Sequence, residues 1–154
     1  MNLQMEINSL KHRIAELEEL AKEEQEFPKL GDEYWYIDEF GTVCSYQLDE
    51  FFNKDIIEDM KDIANIYKTK DEAEFQVEKL KVEAELRKFS RPFKYGDWNF
   101  EILWNNHENN IELDWSGYVV RQSVIYFESG EIAEKAIESV GEERIKKYIF
   151  GIGD

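Results

Sequence analysis

Lys29-Leu30-Gly31-Asp32-Glu33-Tyr34-Trp35-Tyr36-Ile37 is answered later in the chain by Lys94-Tyr95-Gly96-Asp97-Trp98-Asn99-Phe100-Glu101-Ile102. In each stretch a Gly-Asp pair leads into an aromatic run of residues that favour strands. Each run reaches a turn and a second strand, Thr42 to Leu48 in the first case and Ile111 to Trp115 in the second. Both continue into a short aromatic strand, Ile66-Tyr67-Lys68-Thr69 and Tyr126-Phe127-Glu128-Ser129, whose closing hydroxyl residue can cap a helix. Aligned on those caps, Ala73, Glu74, Val77 and Glu78 match Ala133, Glu134, Ile137 and Glu138. A duplicated strand-strand-strand-helix unit is the economical reading, with repeat halves at about 28–90 and 91–151. Similar strand-to-helix chemistry arising twice is the alternative.

Thr69 with Glu72 three residues on has the form of a capping box, and Ser129 that of a simple N-cap. In the first repeat helix Ala73, Val77, Leu80 and Ala84 form a stripe that Val82, Leu86 and Phe89 widen, so one broad side is expected to be buried. Ile111, Leu113 and Trp115 alternate with Glu112, Asp114 and Ser116, as in a half-buried antiparallel strand. Gly41 and the run Asn105-Asn106-His107-Glu108-Asn109-Asn110 supply turns, because Gly and Asn tolerate positive φ. Phe51, Phe52, Ile56, Met60 and Ile63 suggest a short helix inside an insertion, residues 49–64, that the second half lacks. The expected fold is α+β: one mostly antiparallel sheet of five or six strands, with a helix from each half on one face.

Residues 1–27 read differently from the α+β domain at 28–154. Leu3, Ile7, Leu10, Ile14, Leu17 and Ala21 follow a four-three spacing throughout. That is a heptad with Ile7, Ile14 and Ala21 at a, and Leu3, Leu10 and Leu17 at d, the combination that favours two parallel strands. Glu6 and Arg13 fall at g and Lys11 and Glu18 at e, so a parallel pair sets Glu6 against Lys11 and Arg13 against Glu18 of the partner. Glu24 and Pro28 end the seam. The expectation is a homodimer through an N-terminal parallel coiled coil. A single amphipathic helix packed on its own domain is the competing arrangement, and it normally shows a wider apolar stripe.

Of 154 residues, 42% are hydrophobic and 14% aromatic, which is too rich for disorder despite 35% charge. Nineteen basic against 35 acidic residues leave −16, spread along the chain rather than gathered in a tail. Such a field repels phosphate and anionic lipid, so direct nucleic-acid binding is not expected, and it attracts basic protein surfaces. Cys44 is the lone cysteine, no apolar run approaches a membrane span, and Met1-Asn2-Leu3-Gln4-Met5-Glu6 has no signal-peptide character. A soluble protein of the reducing cytoplasm is expected.

No catalytic constellation stands out. Cys44 alternates with Val43 and Ser45 and has no histidine to activate it, which points to a core thiol. The acidic pairs Asp32-Glu33, Asp38-Glu39, Asp49-Glu50 and Glu58-Asp59 lack the loop spacing of a cation site. No Gly-rich phosphate loop is present, and neither enzyme activity, metal nor cofactor is expected. Lys88-Phe89-Ser90-Arg91-Pro92-Phe93-Lys94-Tyr95 runs against the acidic background, mixing cations with aromatics at the join between the halves. Arg91, Phe93, Lys94 and Tyr95, with Arg121, are therefore candidates to hold an anionic, base-bearing ligand. The plainer use of that segment is a linker whose aromatics cap the core and whose cations pair with acids.

Gly31-Asp32 before Tyr34-Trp35-Tyr36-Ile37, then Asn65-Ile66-Tyr67-Lys68-Thr69-Lys70, Glu72-Ala73-Glu74 and Val82-Glu83-Ala84-Glu85-Leu86-Arg87, together form a signature. With Ile125-Tyr126-Phe127 and Gly141-Glu142-Glu143-Arg144-Ile145-Lys146-Lys147-Tyr148, it resembles a family of small uncharacterised proteins encoded by phages and prophages of Gram-positive bacteria. The resemblance covers roughly residues 28 to 151. Such relatives usually carry glycine before the asparagine that opens the Tyr67 strand, where this chain has Ala64. The resemblance implies a phage setting in a bacterial host and brings no catalytic residues. The function expected is a non-enzymatic oligomeric binding protein that blocks a host defence protein, its acidic face mimicking nucleic acid. The alternatives are a sponge for a nucleotide immune signal and a structural or regulatory phage protein.

Overall fold

The computed structural model describes residues 2–51 and 54–153. Two compact units divide between Lys70 and Asp71.

The first unit opens with α1, Leu3–Gln25, whose first turn is capped where Asn2 Oδ1 accepts the Gln4 N–H at 3.1 Å. After the cis Phe27–Pro28 peptide come β1, Glu33–Ile37, and β2, Val43–Gln47, paired antiparallel with Trp35 opposite Ser45. Asp38 builds the turn between them: its Oδ1 accepts the Phe40 and Thr42 N–H groups at 2.9 and 2.8 Å, and Gly41 takes φ 79°. Helix α2, Lys54–Asp62, occupies the insertion and buries Ile57; the Phe52 assigned to that helix lies outside the described residues. The chain leaves α2 through Ala64 at φ 54°, with Ala64 N–H bonded to Lys61 O and Asn65 N–H to Met60 O. This is a Schellman cap with alanine where glycine is usual.

The second unit holds α3, Lys70–Arg87, from its second residue onward, then the hairpin of β3, Asn99–Asn105, and β4, Asn110–Ser116, then α4, Gly130–Val140, and α5, Glu142–Tyr148. Asn109 at φ 52° closes the hairpin turn, in which Asn105 Oδ1 accepts from His107 N–H and Glu108 N–H. Ser129 caps α4 through the Ile132 N–H at 3.2 Å. Strand periodicity puts Phe100, Ile102, Ile111 and Leu113 on one hairpin face. They pack on a core of Val82, Leu86, Phe127, Ala133, Ala136, Ile137, Val140 and Ile145, drawn largely from the three helices. Arg144 clamps Glu85 with two bonds of 2.9 Å, fastening α5 to α3.

Three expectations need correction. The fold is α+β, but the single sheet of five or six strands is replaced, among the described residues, by two separate two-stranded antiparallel sheets. The third segments contribute only isolated bridges, Trp35 with Tyr67 and Phe100 with Phe127, because helices begin within three residues of each. The broad buried side assigned to α3 is also wrong. Leu80 is 47% exposed, and the buried residues are Ala73 and Val77, then Val82 and Leu86. At 100° per residue these two pairs lie on opposite sides of the helix. Cys44 is half-buried rather than a core thiol.

Hydrogen bonds at corresponding residues of the two units have the same pattern. Gly31 N–H bonds Leu48 O at 2.7 Å, and Gly96 N–H bonds Gly117 O at 2.8 Å. Asp32 N–H returns to Lys29 O as Asp97 N–H returns to Lys94 O. Trp35 and Tyr67 exchange two bonds of 2.9 Å; Phe100 and Phe127 exchange bonds of 3.0 and 2.9 Å.

Candidate functional site

Three places bring together the residues singled out above. The first is α1. Its a and d residues are all exposed in the single chain, from 40% at Ile7 to 74% at Leu3, and Ala21 is exposed too. A helix of 23 residues, about 34 Å long, thus shows an uncovered seam of isoleucine and leucine.

The second is the segment leading into β3, organised by Asn99. This side chain is wholly buried, and its amide donates to Lys94 O, Asp97 O and Ser116 O at 2.9 Å each. Its oxygen accepts from Lys94 N–H and from the Arg91 guanidinium, both at 2.8 Å. Arg91 also donates to Pro92 O at 2.9 Å and Trp98 O at 2.7 Å. A guanidinium offers five donors in a planar fork, and here the fork is turned inward onto backbone carbonyls. Phe93 packs edge-on against Tyr126 at 5.2 Å. Lys94 and Tyr95 are exposed. Arg91 thus serves carbonyls and an amide, not acids.

Arg121 meets the next residue on the same face of β3. Glu101 on β3 and Asp114 on β4 stand opposite each other in register, and Arg121 reaches them at 3.2 and 3.8 Å. Glu101 is buried, and desolvation, with Asp114 adding to it, pushes its carboxyl above the ordinary range against the pull of Arg121. The Tyr126 hydroxyl accepts the Arg121 N–H at 2.8 Å and ties down the same strap. Arg91 and Arg121 thus meet neighbouring residues of one β3 face, Asn99 and Glu101, and both segments and Phe93 converge on Tyr126. Both guanidinium groups, however, are engaged by the protein itself, and Lys94 is exposed.

Of the third place the sequence had singled out Tyr95 alone as a candidate. The apolar face of the β3–β4 hairpin continues past Phe100 to Trp98 and Trp115, whose ring centroids lie 4.0 Å apart. Beside them Tyr95 and Tyr118 meet edge to face at 5.3 Å, where the Gly96–Gly117 bond joins the two chain segments. Trp98 is 57% exposed, Trp115 51%, Tyr95 80% and Tyr118 72%, and Val119 and Val120 are exposed next in the chain. Four exposed rings at one hairpin end are uncommon, since large aromatics are mostly buried. Alternation puts Trp115 on the inner face, and it shares that face with Phe100, but the core beneath stops short of it. Tyr95, four residues before β3, and Tyr118, two after β4, were the available signal.

Among the described residues no group of three or more His, Cys, Asp or Glu side chains is placed to hold a metal ion. No helix there is long and apolar enough to cross a membrane. Comparison with protein-family models, with characterised proteins and with solved structures finds no match to this chain.

Proposed function

We propose that this chain is a non-enzymatic, self-associating binding protein, assembled as a parallel dimer through α1. The observation that carries the reading is the seam itself: Leu3, Ile7, Leu10, Ile14, Leu17 and Ala21 at heptad spacing, all exposed. An isolated helix of this length is marginal in water, and burying the seam against a second copy supplies what its own chain does not. The recurring hydrogen bonds of Gly31 and Gly96, and of the Trp35–Tyr67 and Phe100–Phe127 bridges, support descent of the two sequence halves, about 28–90 and 91–151, from one duplicated ancestor. A dimer then presents each unit twice, which favours multivalent capture of one partner.

The partner we infer is a basic surface of a host protein, in the phage setting that the family resemblance implies. The dimer doubles a charge of −16 per chain, and such a body competes with nucleic acid for a basic channel. Blocking a host defence protein is the use that fits this pairing. The nucleotide-sponge alternative is less favoured, because Arg91 and Arg121 are already engaged within the protein.

Light scattering after chromatography tests assembly. The full chain should run as a dimer at micromolar concentration, and Ile7→Lys with Ile14→Lys should run as a monomer; a full-length monomer ends the reading. Purification from infected cells with mass spectrometry tests the partner. A host protein released steeply by salt is the expected result, whereas a co-purifying nucleotide would favour the sponge.

A further inference from the structure

The aromatic end of the β3–β4 hairpin is uncovered, and its surroundings say what chemistry suits it. We propose that it docks an arginine- or lysine-bearing peptide segment of a partner protein, whose cations lie over the rings of Trp98, Trp115, Tyr95 and Tyr118. The inference takes from the proposed function only that the chain binds a partner; the site stands on its own geometry.

Aromatic faces carry the negative side of a quadrupole and attract cations, tryptophan most strongly. The chain uses this contact itself: Lys146 Nζ stands 5.7 Å over Trp104, and Lys147 Nζ 5.3 Å over Tyr148. No such cation covers the four rings at the hairpin end among the described residues. Arg91 and Arg121, the guanidinium groups nearest in the chain, are turned onto Asn99 and Glu101 instead.

Asp97, exposed between Gly96 and Trp98, is the acid next in the chain to the patch, as Lys94 is the cation next to Tyr95. Asp114 belongs to the other hairpin face, with Glu101 and Arg121. The antiparallel bridge of Phe127 to Phe100 brings Glu128 alongside the start of β3. Asp97 and Glu128 are exposed and take part in no ion pair among the described residues. A ligand that brings cations therefore gains both ring contacts and unspent carboxylates.

Charge also separates the possible occupants. A second copy of this chain would bring the same Asp97 and Glu128 to the same patch, and like charges brought together across a contact cost binding. An acidic or neutral apolar peptide would cover the rings and leave Asp97 and Glu128 unanswered. A basic segment answers both, and the −16 of the chain speeds its approach.

Calorimetric titration of the full-length protein with a synthetic arginine–alanine repeat peptide, and with its glutamate–alanine counterpart, tests this. The arginine peptide should bind and the glutamate peptide should not. Trp98→Ala with Trp115→Ala should weaken binding about 5- to 25-fold, as two lost exposed cation–π contacts imply. Tyr95→Ala with Tyr118→Ala should weaken it severalfold, and it supplies the same readout should the tryptophan variant misfold. Asp97→Asn with Glu128→Gln should flatten the salt dependence and leave part of the affinity. Wild-type affinity in both ring variants would show attraction by net charge alone and overturn the proposal, as would no binding. Dimers lost in the ring variants would make a second copy the occupant and also overturn it. Light scattering on the Ile7→Lys, Ile14→Lys protein separates the two readings: assembly through α1 can fail while peptide binding survives, and the reverse.

Discussion

Replacing Ala64 with glycine should stabilise this protein. Ala64 occupies the residue after the end of α2 at φ 54°, where its N–H bonds Lys61 O at 2.9 Å and the next N–H, from Asn65, bonds Met60 O at 2.8 Å. An L-residue held in the left-handed region costs roughly 1–2 kcal/mol, from its Cβ against the following carbonyl. Glycine removes that cost and returns about 0.5–1 kcal/mol through the greater freedom of the unfolded chain. The net gain is about 0.5–1 kcal/mol. Ala64 is exposed, so no packing is lost to offset it. The cap also places Asn65, whose amide brackets Ile37 with bonds of 2.9 and 2.7 Å, so relief at residue 64 is felt where β1 ends. Urea unfolding at fixed protein concentration is the assay. With a slope of about 1–3 kcal/mol per molar, the midpoint should rise by roughly 0.2–1 M. Gly31→Ala is the control: at φ 92°, with nothing within 4 Å of the added Cβ, it should lower stability through the backbone alone. If Ala64→Gly leaves the midpoint unchanged or lower while Gly31→Ala destabilises, the left-handed strain at residue 64 is refuted.

Ile137→Ala should cost about 2–5 kcal/mol in the same assay, because Ile137 is only 8% exposed in the core of the second unit. Leu80→Ala, at a side chain 47% exposed, should cost less than about 1 kcal/mol. Asn99→Ala should cost about 3 kcal/mol by taking the amide from three carbonyls, the Lys94 N–H and one Arg91 bond, which differential scanning calorimetry would register; a shift within error would mean that water replaces the amide freely. Two carboxylates should give opposite pH behaviour. Glu85 is held low by its hydrogen bonds from Arg144, so its stabilisation is present above the ordinary value of 4.5 and is lost as pH falls through the lower folded value. Glu85→Gln should remove that acid-side loss. Glu101 is raised by burial, so its contribution is present at low pH and is lost as pH rises through the folded value. Stability of Glu101→Gln relative to wild type should therefore improve as pH climbs past 4.5, and parallel denaturation curves across that range would contradict the assignment.

Local chemistry was legible in the residues. The Gly-Asp turns, the hairpin strands from Thr42 and Ile111, the Ser129 cap, the Asn-rich turn and α1 all depend on neighbours a few positions away, and those neighbours are printed in the chain. Other properties depended on which surfaces meet. Leu80 fits a helical stripe as well as Val82 does, yet only Val82 faces the core, because α3 changes its buried side midway. Arg91 and Arg121 look alike as free cations until Asn99 and Glu101 come within reach from other segments. Trp115 alternates correctly with its neighbours, but alternation names a face and not the point at which the core beneath it ends. Periodicity encodes direction along one element, whereas burial is decided by the partner that arrives from far along the chain.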